Sequence, residues 1–157
     1  MPEQNWLFVY GTLRPDARVR LGARQRARLR AAGWVLGAAV VDGRLVDLGG
    51  YPGLIVPTGQ ERRGRSAGPA RTRSARGVAM VLRAPAVLLP LLDRYEGIGG
   101  LVGLREYVRI ELPIVIGPVP RRSGARRGTA WAYICADQSP RRSAFDPRRL
   151  FSRRQPT

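Results

Sequence analysis

Phe8-Val9-Tyr10-Gly11-Thr12-Leu13-Arg14 is the stretch on which the fold of this chain turns. Trp6 to Tyr10 is apolar, aromatic and β-branched, which predicts a short buried strand near the N-terminus. Gly11 ends that strand, and Thr12 and Leu13 follow in a turn. A glycine there can adopt positive φ and lets a ligand approach the backbone closely. Consecutive N–H groups turning off a strand end make a concave donor surface suited to a carboxylate. The same seven residues also fit a plain strand and glycine turn, so their meaning depends on the rest of the chain.

The chain has 157 residues and is 44% hydrophobic, enough for one domain with a real core. No apolar run approaches the ~20 residues needed to cross a bilayer, and no membrane association is expected. The N-terminus carries no basic-then-apolar secretory signal, so the expected location is cytoplasmic. The single cysteine, Cys135, rules out an internal disulfide and is expected to pack in the core. There is no histidine, and all 28 basic residues are arginine. A histidine-based triad, the common zinc sites, a lysine Schiff base and a lysine-bearing phosphate loop are excluded on composition. Any acid–base chemistry must fall to a carboxylate or a tyrosine, because arginine stays protonated. With 11 acidic residues, the candidates are few.

The net charge of +17 is unevenly spread. Residues 14–30 hold seven Arg and one Asp, 59–76 six Arg and one Glu, 120–127 four Arg, and 139–157 six Arg and one Asp. These segments together carry +20 and leave −3 for the remainder, so the apolar segments are nearly neutral. Such a pattern fits weak, non-specific polyanion binding by the Arg-rich loops and tail. A genome that prefers Arg to Lys produces it too. Apart from Phe145 and Phe151 the runs contain no aromatic residue, so no base-stacking platform is evident.

In order along the chain, Pro15 to Ala32 reads as an Arg/Ala-rich helix packing weakly through Leu21, Ala27 and Leu29, with Gly33 as its C-terminal cap. Trp34 to Val41 reads as a strand, Asp42-Gly43 as a hairpin turn, and Arg44 to Leu48 as the partner strand. Gly49 to Gly53 is a turn-rich loop before a strand at Leu54-Ile55-Val56. Residues 59–76 are too polar to bury and read as a flexible loop. Gly77 to Arg83 is a strand; Ala86 to Tyr95 is a short helix opened by Pro85 and disturbed by Pro90. The glycines of 97–103 do not form a dinucleotide fingerprint, since Val102 takes the third glycine position and a helix precedes them. Glu106 to Ile116 alternates in polarity, and Pro113 makes it an edge strand or bends it. Gly117 to Arg127 is a basic loop, Thr129 to Cys135 the last strand, and 139–157 a disordered basic tail. These elements point to an α+β fold, a small mixed β-barrel of about six to seven strands with flanking short helices, in a domain spanning 1–138.

One further stretch gives the opening motif its meaning. Leu92-Asp93-Arg94-Tyr95-Glu96-Gly97 places a carboxylate at the end of an apolar helix. Together with Phe8 to Arg14, Asp47-Leu48-Gly49-Gly50-Tyr51-Pro52-Gly53, the strand Glu106 to Arg109 and the closing Ala130-Trp131-Ala132-Tyr133, it resembles the gamma-glutamylcyclotransferase-like superfamily. The nearest branch is that of the gamma-glutamylamine cyclotransferases, and the resemblance spans roughly residues 6–135.

The resemblance implies a small β-barrel and an enzyme that releases 5-oxoproline from a γ-glutamyl amine or peptide. It implies Glu96 as general base, and Tyr10, Gly11, Thr12 and Leu13 as the loop binding the substrate α-carboxylate. Tyr107 and Tyr133 would bind substrate or hydrogen-bond Glu96. The substrate's own α-amine attacks its γ-carbonyl, so neither cofactor nor metal is implied. The other reading of Glu96 is a surface ion pair with Arg94 or Arg109, and of the two tyrosines, ordinary half-buried strand residues. Asp47 and Asp93 read as turn and capping residues. The other class of function is a non-catalytic carboxylate-binding module with a basic surface for nucleic acid or an acidic partner. Pro15-Asp16-Ala17 and Ile98 depart from the family pattern near the expected pocket mouth, which leaves the leaving amine open.

Overall fold

The computed structural model describes residues 5–57, 74–96, 107–117, 126–138 and 143–151. Strands β1 (Trp6–Val9), β2 (Gly33–Asp42), β5 (Ser74–Leu82), β6 (Tyr107–Ile116) and β7 (Arg126–Cys135) form a closed barrel in the order β1-β5-β2-β6-β7. The ring is mixed: β1 meets β7 in parallel, and every other pairing is antiparallel. Strands β3 (Arg44–Asp47) and β4 (Pro52–Ile55) make a separate two-stranded sheet. Helices α1 (Ala23–Ala32) and α2 (Pro85–Tyr95) pack outside the barrel. The expected α+β barrel is therefore present, with five of the seven strands among the described residues in the ring.

β1 shows why the first motif is so apolar. Phe8 and Tyr10 face the barrel interior with Leu112, Ile114, Ala130 and Ala132. Leu7 and Val9 face outward beneath the helices with Leu29, Leu88, Leu89 and Leu92. A strand buried on both faces loses the polar half of its alternation. β6 keeps that alternation: Leu112, Ile114 and Ile116 are buried while Glu111 and Pro113 are exposed. Pro113 pairs with Thr129 of β7 and lies short of Val115 and Ile116, where β6 meets β2. The missing N–H thus falls at a position that β2 does not use.

Several expectations are corrected. Asp42-Gly43 does not fold β3 back on β2; β3 pairs with β4, from Arg44↔Ile55 to Asp47↔Pro52. The physical reason is occupancy, because β2 is flanked by β5 along its length and by β6 at its end. The first helix begins at Ala23, not Pro15, and Gly33 does not cap it in a left-handed conformation but opens β2 with φ −166°. Pro90 leaves α2 unbroken, with Leu88, Leu89 and Leu92 anchoring it to the barrel.

The segment expected as a disordered tail is folded at 143–151. Ala144 bridges to Val46, Pro147–Phe151 form a 3-10 helix, and Phe145 and Leu150 are buried. Periodicity could not show this, since the two buried apolar residues, five positions apart among arginines, carry no repeat. Of the predicted loop at 59–76, residues 74–76 belong to β5, and 58–73 lie outside the described residues, as do 97–106 and 118–125.

Candidate active site

The first motif leaves the barrel at Tyr10 and turns, with Arg14 N–H donating to Gly11 O at 3.0 Å. Gly11 is not among the glycines with positive φ. Its glycine is required by space instead: a Cβ there would lie 2.8 Å from Cγ of Pro52. Pro52 is held in place by β3–β4 and by the turn before it. Asp47 accepts the N–H groups of Gly49 and Gly50 at 2.9 and 2.6 Å, and Leu48 N–H donates to Tyr51 O at 2.9 Å. This is the Asx-type turn expected of Asp47, which also pairs with Arg149 at 2.7 Å. The two amide bonds, first that of Gly50 and then that of Gly49, keep the Asp47 carboxyl below the usual range; the Arg149 charge adds to them and burial opposes them.

A cavity of about 260 Å³ opens between the first motif, the Tyr51-Pro52 turn and the end of α2. All seven residues singled out from the sequence line it: Tyr10, Gly11, Thr12, Leu13, Glu96, Tyr107 and Tyr133. So do Leu21, Tyr51, Pro52 and Tyr95, which sequence reasoning did not select as site residues. Glu96 follows the last turn of α2 and is half-buried, its N–H bonded to Leu92 O at 2.9 Å. Among the described lining residues it is the sole carboxylate.

The tyrosine hydroxyls tie the walls together. Tyr10 donates to Tyr133 O at 2.5 Å, Tyr107 to Pro52 O at 2.8 Å, and Tyr133 to Asp93 Oδ1 at 2.7 Å. Asp93 is thus no capping residue; it sits within α2, holds Tyr133 and pairs with Arg109 at 3.4 Å. Arg109, one of the two expected ion-pair partners of Glu96, lies beside Asp93 and over the Trp131 ring at 4.9 Å. Burial drives the phenols of Tyr10, Tyr95 and Tyr133 above their ordinary value, and the Glu96 charge adds to each rise. At Tyr133 the bond to Asp93 is the second cause. These phenols are neutral donors at physiological pH and cannot serve as bases.

The chain that builds this barrel and cavity matches a known family. The family model described as "Gamma-glutamyl cyclotransferase, AIG2-like" matches residues 7–150. The chain belongs to the gamma-glutamyl cyclotransferase, AIG2-like family. None of the curated proteins matches it. The match reaches Leu150, so the family domain takes in the packed 143–151 segment as well as the barrel. Membership supports a cyclotransferase type of function with a small-molecule substrate.

The expected polyanion surface finds no support here. Residues 58–73 and 118–125 lie outside the described residues, and two described arginines are engaged locally, Arg14 with Asp16 at 2.7 Å and Arg149 with Asp47. No described helix is long and apolar enough to cross a membrane.

Proposed function

We propose that the protein releases 5-oxoproline from a γ-glutamyl amine or γ-glutamyl peptide, as the gamma-glutamylamine branch would. The loop Tyr10–Leu13 receives the substrate α-carboxylate. Among the described residues, the amides of Thr12 and Leu13 are used by no other hydrogen bond. The α-amine nitrogen attacks the γ-carbonyl carbon and forms the ring C–N bond. Glu96 takes the proton that the amine loses and delivers it to the departing amine as the old C–N bond breaks.

Glu96 stands at the C-terminal end of α2 beside an apolar and aromatic wall, within the same cavity as the loop. Holding amine and carbonyl within five-membered reach supplies much of the remaining acceleration. The Tyr133 hydroxyl donates a hydrogen bond to Asp93 and that of Tyr107 to Pro52 O, so these phenols meet the substrate with their rings and with oxygens that can still accept a hydrogen bond. The observation that carries this reading is the convergence of Glu96 and the loop at 10–13 on one cavity.

The test is a mass-spectrometric search for 5-oxoproline release across a panel of γ-glutamyl amines and peptides, with Glu96→Gln as control. Release from at least one compound, lost in the control, is expected. No release from any compound, with the folded protein failing to bind 5-oxoproline, overturns the reading.

A further inference from the structure

Among the described residues, Arg26 is the buried charge. It is 5% exposed, while Arg24, Arg28 and Arg30 on the same helix face solvent. Arginine is almost never buried without an acidic partner. Among the described residues no carboxylate pairs with Arg26. Its guanidinium donates instead to three backbone carbonyls, through Nη1 to Thr12 O at 2.6 Å and Leu21 O at 2.7 Å, and through Nη2 to Val19 O. Arg26 N–H also closes the first turn of α1 on Gly22 O at 2.8 Å.

Gly22 makes this approach possible. It adopts φ 76°, and a Cβ there would sit 2.9 Å from Tyr95 Oη and 3.1 Å from Thr12 O. The sequence spends a left-handed glycine to bring the start of α1 against Thr12. Three carbonyl dipoles solvate the guanidinium, and no carboxylate among the described residues compensates its unit charge, at a point one peptide bond from the cavity.

Thr12 O belongs to the peptide whose other end is the Leu13 N–H. We propose that Arg26 is a positioning residue for the substrate carboxylate: by bonding Thr12 O it polarises the Thr12–Leu13 peptide, and the anion held by the Leu13 amide becomes its counter-ion. This rests on the reading that residues 10–13 receive that carboxylate. A hydrogen bond to a carbonyl strengthens the donor at the far end of the same amide, and more so in a low-dielectric setting. Arg26 thus acts twice, as the brace that holds the loop from 12 to 21 and as a buried positive charge behind the anion site. It touches neither the reacting amine nor the carbonyl, so its effect belongs to binding rather than to the chemical step.

The experiment measures binding of 5-oxoproline and of its neutral amide, 5-oxoprolinamide, to the wild type, Arg26→Gln and Arg26→Lys by calorimetry. Arg26→Gln should weaken 5-oxoproline about tenfold, the scale of one charge-assisted hydrogen bond, and change the amide by no more than about twofold. Arg26→Lys, which keeps the charge but cannot span three carbonyls, should fall between. On a substrate found in the panel, KM should rise while kcat stays near that of the wild type. A merely structural arginine would weaken both ligands alike, and that result, or unchanged affinity for 5-oxoproline, overturns the proposal. Should Arg26→Gln not fold, the wild type decides by NMR. The Leu13 amide proton should move downfield with 5-oxoproline and much less with the amide, and equal movement overturns the proposal. Wild-type protein that binds neither ligand and turns over nothing overturns the cyclotransferase reading itself, and this proposal with it.

Discussion

Thr12 Oγ1 and Tyr95 Oη lie 2.9 Å apart, a hydrogen bond in which either hydroxyl can donate. It joins the loop that follows β1 to the last turn of α2, the residue before Glu96. The two halves of the candidate site, distant by more than eighty residues in the chain, are thereby held in a common frame. Tyr95→Phe deletes that tether and little else. The expected cost is one net hydrogen bond, about 1 kcal/mol, and a fall in kcat/KM of about fivefold. Thermal unfolding and steady-state kinetics check it; unchanged values in both would show that the bond positions nothing.

Glu96→Gln should lower kcat by at least ~10²-fold while leaving 5-oxoproline affinity and the melting temperature close to those of the wild type. Glutamine keeps the shape and cannot take up the proton. Near-normal kcat in this variant would remove Glu96 from the mechanism.

Gly11→Val should abolish 5-oxoproline binding, now for a steric reason. A Cβ already meets Pro52 Cγ at 2.8 Å, so two further methyls must push the Tyr51-Pro52 turn out of the cavity wall. Gly11→Ala should weaken binding in the same direction but less. Calorimetry with 5-oxoproline on folded variants settles the point, and wild-type affinity in Gly11→Val would exclude the loop as the carboxylate site.

The alkaline limb of stability follows from the buried phenols. Tyr10, Tyr95 and Tyr133 have folded-state pKa values raised above the free value of about 10. The unfolded chain therefore releases these protons first. Their contribution is fully present below about pH 10 and is lost as pH climbs from there toward the folded values. At least three of the five tyrosines should give phenolate absorbance only as the circular dichroism signal collapses. More than two phenolates formed within an intact fold would contradict this.

Cutting the chain after Gln138 has two opposed effects. It removes a net charge of +5, easing repulsion in a molecule of +17. It also exposes the surfaces that Phe145 and Leu150 cover, at about 1.5–3 kcal/mol for each side chain. At physiological salt, screening over ~8 Å shrinks the first effect, so burial wins. The melting temperature should fall by about 5 °C or more. Phe145→Ala with Leu150→Ala in the full chain should reproduce most of that fall; an unchanged melting temperature in both would separate the segment from the fold.

The sequence by itself determined where the main barrel strands fall and named seven of the residues that line the cavity. Apolar, β-branched runs at 6–10, 77–83 and 129–135 could be satisfied only by burial, and each is a barrel strand. Glu96 and Tyr10 to Leu13 were legible as cavity residues because they lie in the motifs that resemble the family, and a chain without histidine or lysine leaves few other candidates. Tertiary structure decided what depends on occupancy and approach. Asp42-Gly43 carried a hairpin signal, but β2 had both its edges taken, so β3 turned to β4. Gly11 was chosen by the nearness of Pro52, forty-one residues away, and no local pattern encodes such a contact. Arg26 is one arginine among seven in residues 14–30, identical in type to its exposed neighbours. Only the folding of the chain from Thr12 to Leu21 around it, with Gly22 left-handed at the helix start, makes it the buried one.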